Sequence, residues 1–381
     1  MSNSDFIRQL PRDHHERDAN GTLLQRLRID LPLLLLLLIV TGAGLVVLFS
    51  ASDSSSAMLA RQGRYLLIGY FLMFAVAQVN IERLKRLAPF AYAGGVLMLL
   101  GVMFFGSGAK GAQRWLDLGG FRFQPSEVMK LVVPMTLAWY YAVRPLPPRL
   151  KYVAIGLVIL MVPSLLIARQ PDLGTAIIIG SSGIFVLFLA GIGWHIIAIG
   201  FGLIAAAAYP IWVYLLHDYQ RGRILTMLNP ELDKLGAGWN IIQSQTAIGS
   251  GGIEGKGWLL GTQSHLDFLP ESHTDFIVAV LAEEFGLRGV LMLLLLYVLL
   301  IMRGAWIGIT AKHSFGRLLA GSITLTFFVY VFVNMGMVSG LLPVVGVPLP
   351  LVSQGGTSMV TLLVGFGMLM SIRADERFIH Q

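Results

Sequence analysis

Leu31-Pro32-Leu33-Leu34-Leu35-Leu36-Leu37-Leu38-Ile39-Val40-Thr41-Gly42-Ala43-Gly44-Leu45-Val46-Val47-Leu48-Phe49 runs for nineteen residues without a charge. At about 1.5 Å per helical residue, roughly 20 such residues cross the hydrocarbon of a bilayer. Small residues follow at Ser50-Ala51-Ser52. The run is too long for the apolar part of a signal peptide, however, and its polar leader is also long, so it reads as a retained anchor. The same rule picks out ten spans: 31–50, 64–80, 89–106, 125–143, 151–168, 173–190, 193–216, 276–302, 314–340 and 350–372. Gly191-Ile192-Gly193 is the short turn that separates the sixth from the seventh. The expectation is an all-α, polytopic membrane fold.

Composition agrees. Of 381 residues 55% are hydrophobic and 13% charged, with a mean hydropathy of +0.72. A soluble domain carries about 25% charged residues, so the aqueous globular class is excluded. The net charge of +7 then serves topology and lipid phosphates rather than nucleic acid. With no cysteine, disulfides, thiolate metal sites and cysteine nucleophiles are excluded. Sixteen of the 28 Lys and Arg fall in alternate segments that include both chain ends; ten fall in the others, four of them in the long segment before Phe276. By the positive-inside rule both ends are cytoplasmic and that long segment lies outside. The expected organisation is a tail (1–30), a membrane domain (31–373) with an outer loop (217–275), and a second tail (374–381).

The polar chemistry gathers in the outer segments. The long loop closes on Phe268-Leu269-Pro270-Glu271-Ser272-His273-Thr274-Asp275-Phe276. A carboxylate at the point where a loop re-enters the membrane loses hydration, so Asp275 is a functional candidate by default. Glu127 and Lys130 stand at i,i+3 after Gln124-Pro125-Ser126. They read as an ion pair that makes a buried lysine tolerable, or as a pair facing a polar cavity, and the two readings are compatible. Asp172 follows Pro171 at the start of a span, where a helix cap is expected. Gly249–Gly257 invites a phosphate-loop reading, but Ser250 and Gly257 occupy positions where that motif needs Gly and Ser or Thr. His265, Asp267, Glu271, His273 and Asp275 offer oxygen and nitrogen donors without any fixed metal-ligand spacing. No protein-bound metal is expected. Glu283, Glu284 and Arg288 are read as pairing with one another or facing a partner, Gly336-x-x-x-Gly340 as helix packing, and Trp239 and Trp258 as interface anchors.

Five motifs stand in order: Gln124-Pro125-Ser126-Glu127, Gln170-Pro171-Asp172-Leu173-Gly174-Thr175, Gly238-Trp239-Asn240, Pro270-Glu271-Ser272-His273-Thr274-Asp275-Phe276 and Pro348-Leu349-Pro350-Leu351-Val352-Ser353. Together they resemble the SEDS family (shape, elongation, division and sporulation), and most closely its elongation branch, over residues 30–373. Gln354 and Thr357 depart from the family pattern, which commonly has an aromatic residue and Ser there. The resemblance implies a peptidoglycan glycosyltransferase that polymerises lipid II, an undecaprenyl-pyrophosphate disaccharide-pentapeptide, at the outer face of the bacterial inner membrane. It implies a class B penicillin-binding protein as partner within the elongation machinery. The family's acidic residue maps onto Asp275, its charges after Gln-Pro-Ser onto Glu127 and Lys130, and a basic position before Trp onto Arg114.

The chemistry suits these residues. Glycosyl transfer from a sugar pyrophosphate needs one base for the acceptor hydroxyl and cations for the leaving group, with no second carboxylate. Asp275 is the candidate base. Lys130, Glu127, Arg114, Arg221, Arg223, Glu271, His273, Asp172 and Ser353 form the candidate substrate-binding set. No cofactor is required, although a divalent cation can arrive with the pyrophosphate. Two other classes remain open on the sequence. A lipid II flippase would need polar groups on both faces; a non-catalytic scaffold leaves Asp275 and Lys130 unexplained.

Overall fold

The computed structural model describes residues 27–377 apart from 110–111, 118–121, 217, 234–235 and 266–270. Lys110, Lys234, Asp267, residues 1–26 of the first tail and 378–381 of the second lie outside the described residues. Helices α1 (Leu31–Ala51), α2 (Ser56–Ala77) and α3 (Ile81–Phe105) open the chain. Strands β1 (Ser107–Ala109), β2 (Ala112–Asp117) and β3 (Arg122–Phe123) follow, and then α4 (Pro125–Ala142), α5 (Leu150–Arg169), α6 (Leu173–Leu189) and α7 (Trp194–Pro210). The long loop holds α8 (Asp218–Leu228), a 3-10 turn at Pro230–Asp233, α9 (Ala237–Gly251) and α10 (Thr262–His265). Helices α11 (Ile277–Thr310), α12 (Ser314–Val338) and α13 (Thr357–Arg377) complete it.

A helix therefore stands at each of the ten apolar runs, and seven of these are long and apolar enough to cross a membrane. In the other three, α2 carries Arg61, Gln62 and Arg64, α4 carries Glu127 and Lys130, and α6 has only 17 residues. The bundle is built by α13 packing on α2, α11 on α1 and α12, α3 on α4, and α6 on α12 and α4. Its rim exposes large apolar side chains, with Phe71, Phe90, Phe104 and Phe105 all more than 70% exposed. Water-facing surfaces rarely display apolar patches on this scale; lipid tails accept them. The chain is a multi-pass membrane protein. Helix α7 has no buried residue among those described.

Two expectations change. The fold is not wholly α, because 107–123 forms a small antiparallel sheet in the order β1-β2-β3. Glycines at 106, 108, 111, 119 and 120 deny this stretch helix propensity, and Pro125 at the first turn of α4 restarts the helix. The last span also begins at Thr357 rather than residue 350. Pro348, Pro350, Gly355 and Gly356 leave 341–356 irregular, yet Val347, Leu349, Leu351 and Val352 are buried. Such backbone is tolerated at depth only where protein encloses it.

Asp30 and Arg303 tie the opposite end of the bundle. The Asp30 carboxylate, fully buried, caps α1 through Leu33 N–H (3.1 Å) and takes Nε and Nη2 of Arg303 at 3.0 and 2.5 Å.

Helix α11 is broken at Gly286 (φ 64°, ψ −164°), and the glycine-rich turn after α9 fills the break. A broken helix orphans carbonyls on one side and N–H groups on the other. Here Lys256 and Gly257 N–H donate to the Glu283 and Glu284 carbonyls (3.0 Å each), while Leu287 and Arg288 N–H donate to the Gly252 and Ile253 carbonyls (2.9 and 3.3 Å). That approach leaves no space for a side chain: a Cβ on Gly255, at φ +82°, would lie 2.1 Å from the Glu284 carbonyl oxygen. Gly249–Gly257 thus closes a helix break, as its failure as a phosphate loop allowed. Gly255→Ala is expected to cost about 2 kcal/mol or more, read as a lower unfolding midpoint in detergent. Gly42→Ala, with nothing within 4 Å, should leave the midpoint unchanged or raise it.

Candidate active site

Four consecutive residues ahead of α11 are each anchored, by three separate parts of the chain. Ser272 Oγ donates to the Ala51 carbonyl at the end of α1 (3.1 Å). The His273 carbonyl accepts from Gln354 N–H (2.9 Å). The Thr274 carbonyl accepts from Ser353 Oγ (2.5 Å), and that of Asp275 from Asn334 Nδ2 on α12 (2.9 Å). Phe276, 1% exposed, then buries the chain. The turn is also closed from within: Thr274 and Phe276 N–H donate to the Glu271 carbonyl, and Thr274 Oγ1 to Glu271 Oε2 (2.8 Å).

The carboxyl group of Asp275 is pushed up to about 6. Burial is the main cause and the negative charge of Glu271 adds to it, while Arg223 on α8 pulls the other way. A carboxylate in that range is ionised at neutral pH and still basic enough to accept a proton. Gly346 opens space beside it, since a Cβ there would meet, among the described residues, only Asp275 Oδ2, at 3.5 Å.

Ser353 spends its hydroxyl on backbone. It accepts from Leu349 N–H (2.9 Å) and donates to Thr274, with 2% exposure. Gln62 on α2 holds the same loop by donating to the Ser353 carbonyl (3.2 Å) and accepting from Gly355 N–H (3.3 Å). The Pro348–Ser353 motif is therefore a brace for 272–275.

Glu127 and Lys130 form a buried ion pair of 2.7 Å on α4, at 6% and 7% exposure. Lys130 Nζ lies 5.4 Å from the Tyr330 ring centroid, and Asp172 also acts on Tyr330. The second Glu127 oxygen, Oε2, is buried without a hydrogen-bond partner among the described residues. Tyr330 and Asn334 are four residues apart on α12, so this group lies about one turn, some 6 Å, deeper than the residue holding Asp275. The charges acting on Asp275 itself are Glu271 and Arg223.

Asp172 caps α6 through Thr175 N–H (3.3 Å), and Gln124 Nε2 donates to its other oxygen (3.2 Å). The Gln-Pro-Ser and Gln-Pro-Asp motifs thereby lock together. Arg114 on β2 donates to the carbonyls of Gln170 and Pro171, staples the loop before Asp172, and is not brought to Asp275. Arg221 bonds the Val213 carbonyl (2.8 Å) and pairs with Asp218 (3.6 Å), so it serves its own segment. Glu271 and His273 belong to the Asp275 turn.

Glu283, Glu284 and Arg288 do not pair with one another. Glu283, fully buried, takes Lys256 Nζ (2.6 Å) and the N–H groups of Thr262 and Gln263. Glu284 accepts from Ser50, and Arg288 pairs with Glu254 at 3.1 Å. Trp258 donates to the Val46 carbonyl (3.2 Å). Among the described residues no three His, Asp or Glu side chains gather in a way that would hold a metal ion. Asn334, Gln62 and Tyr330 escaped the sequence reading. Their one signal is a polar group inside an apolar run.

A many-helix membrane bundle with one braced carboxylate and a buried lysine–glutamate pair below it is the architecture of a membrane-embedded enzyme. The family model described as cell cycle protein, that of FtsW, RodA and SpoVE, matches residues 26–378, and the chain belongs to this family, SEDS. It is 51% identical over 360 residues to the peptidoglycan glycosyltransferase MrdB of Escherichia coli K12, covering 94% of this chain and 97% of that one. A solved chain from a peptidoglycan synthase complex, studied for its coordination of polymerization and crosslinking, superposes with TM-score 0.81 at 32% identity, covering 91% and 98%. The crystal structure of the Thermus thermophilus rod shape determining protein RodA superposes with TM-score 0.70 at 28% identity, covering 91% and 97%.

Lys130→Met would leave a buried, unpaired carboxylate at Glu127, a change expected to cost about 3–5 kcal/mol. Thermal unfolding in detergent should show that loss. Glu127→Gln combined with Lys130→Met should recover most of it, and a double variant no more stable than the single one would mean that the two residues are not a unit.

Proposed function

We propose that this chain is a peptidoglycan glycosyltransferase of the elongation type, which polymerises lipid II into β-1,4-linked glycan with Asp275 as general base. The observation that carries the reading is the carboxyl of Asp275, partly buried, raised to about 6 and carried on a turn that the end of α1, the 353–354 loop and Asn334 of α12 hold in place. Asp275 takes the proton of the acceptor's 4-hydroxyl as that oxygen attacks C1 of the donor sugar from the face opposite the pyrophosphate. The new C–O bond forms as the C1–O bond to pyrophosphate breaks, the electron pair leaves with undecaprenyl pyrophosphate, and α becomes β. General-base assistance of this kind contributes about 10²–10⁴-fold.

Arg223 is the cation nearest in effect to Asp275 and is assigned to the developing negative charge on the leaving group. Lys130 with Glu127 is assigned to headgroup binding one turn deeper, and a divalent cation accompanying the pyrophosphate would add to this neutralisation. Glu271, His273, Asp172, Arg114, Arg221 and Ser353 act by shaping the loops that carry these groups. The ten helices are read as ten spans of the bacterial inner membrane, with both termini cytoplasmic and 217–275 on the outer face. Lipid tails lie in grooves between the spans. A class B penicillin-binding protein, cross-linking the nascent strand, is the expected partner.

The test incubates purified protein with labelled lipid II in detergent, with and without that transpeptidase, and separates the products on a gel. Wild type is expected to give glycan ladders. Asp275→Asn, at equal membrane levels, should lose at least about 100-fold. Full activity in that variant would remove Asp275 as the base, and lipid II crossing liposomes without any ladder would favour the flippase.

A further inference from the structure

Asn334 sits about one turn before the end of α12 in the apolar run 314–340, fully buried, on the face that also carries Tyr330. Placing an amide at such a site costs free energy unless it is bonded, and this one is bonded in an unusual way. Both hydrogens of Nδ2 are used on backbone carbonyls, that of Asp275 at 2.9 Å and that of Val347 at 2.7 Å. Two carbonyl acceptors on one amide atom identify that atom as the nitrogen. The other amide atom, Oδ1, is buried with no hydrogen-bond partner among the described residues.

The two carbonyls belong to the two segments that flank the Asp275 carboxylate. One is its own peptide; the other follows Gly346, the residue whose Cβ position faces Asp275 Oδ2 at 3.5 Å. Ser272, His273 and Thr274 are held by Ala51, Gln354 and Ser353, but the bond to the Asp275 peptide itself comes from Asn334. A single side chain on a rigid helix thus sets the spacing between the carboxylate and the wall beside it.

We propose that Asn334 is a positioning residue for the reaction: its amide holds Asp275 at a fixed distance from the Gly346–Val347 wall, so that the carboxylate meets the acceptor hydroxyl. This rests on the reading of Asp275 as the base. Substrate need not touch Asn334, so binding is unaffected while the chemical step slows. A misplacement of about 1 Å at a reacting group costs on the order of 10²-fold.

The same tether keeps the carboxylate inward, and this supplies a readout that general loss of structure does not move. The charged groups acting on Asp275 are Glu271 on its own turn and Arg223 on α8, with His273 two residues away in the chain; Asn334 is neutral. When the amide is removed, Asp275 relaxes toward water and its carboxyl falls toward the ordinary value of about 4. A carboxyl at 334 would face the same two carbonyl oxygens in a buried site, so it stays protonated, donates to one of them and keeps part of the tether, and Asp275 falls less far.

The experiment measures lipid II polymerisation by full-length wild type, Asn334→Ala and Asn334→Asp between pH 4.5 and 8.5, alongside thermal midpoints. For Asn334→Ala the expected result is a fall in kcat of about 10–100-fold with KM within about twofold. Its acid limb should move below that of wild type, and the limb of Asn334→Asp, which keeps one donor, should lie between the two. If Asn334→Ala does not accumulate in membranes, Asn334→Ser, which retains one donor, carries the same readout with a smaller shift. Unmoved acid limbs with a wild-type that does show one, or a rise in KM alone, would overturn the positioning role and leave Asp275 as base intact. A wild type that polymerises with no acid limb would remove the base reading, and this proposal with it.

Discussion

The structure depends on the pinning of one turn. Residues 272–275 give their side chain or backbone, in sequence, to the end of α1, the 354 backbone, the Ser353 hydroxyl and the Asn334 amide. Each bond in isolation is worth about 1 kcal/mol. Their joint effect is geometric, because four anchors on four residues leave the Asp275 side chain little freedom beyond its own rotamer. A carboxylate needs such restraint when it stands at the edge of a membrane, where water would otherwise draw it outward. The other irregular features of this end of the bundle serve the same purpose. The 343–356 segment gives up helix to supply carbonyls and hydroxyls, and Gln62 and Tyr297 (Oη to the Pro350 carbonyl, 2.7 Å) hold that segment in turn.

A second constraint is the break in α11. Splitting a helix at Gly286 would orphan backbone groups at both cut ends, and the loop after α9 satisfies four of them with its own backbone. The outer loop is thereby part of the bundle rather than an appendage to it. Ser244 and Gln245 of α9 bond the Val338 and Ser339 carbonyls at the end of α12. The helix that carries Asn334 and the helix that follows Asp275 are thus braced by one loop.

Much of this was legible in the sequence, for physical reasons. Apolar runs of about 20 residues have few ways to fold in a bilayer, so the ten helices could be placed from composition alone. Asp275 and the Glu127–Lys130 pair were legible because charge near hydrocarbon demands a reason. The sheet at 107–123 was missed because the apolar count has nothing to say about a short glycine-rich hairpin. The start of α13 was misplaced because Pro350–Val352 is apolar without being helical, and burial alone does not distinguish the two. Arg114 and Ser353 bond backbone carbonyls in the fold, and their charge and hydroxyl say nothing in advance about whether the nearest acceptor is ligand or backbone. Asn334 and Gln62 were invisible for the opposite reason: an uncharged amide in an apolar run alters composition hardly at all. Only the fold brings the carbonyls to it.

The central claim is that the ionised carboxyl of Asp275 does the chemistry, and the most direct measurement is the single-turnover rate of wild type against pH. A base with a carboxyl raised to about 6 is inactive when protonated. The rate should therefore be level above pH 7 and fall about tenfold for each unit below 6. A rate that stays level down to pH 5, in protein still folded at that pH, would contradict the account.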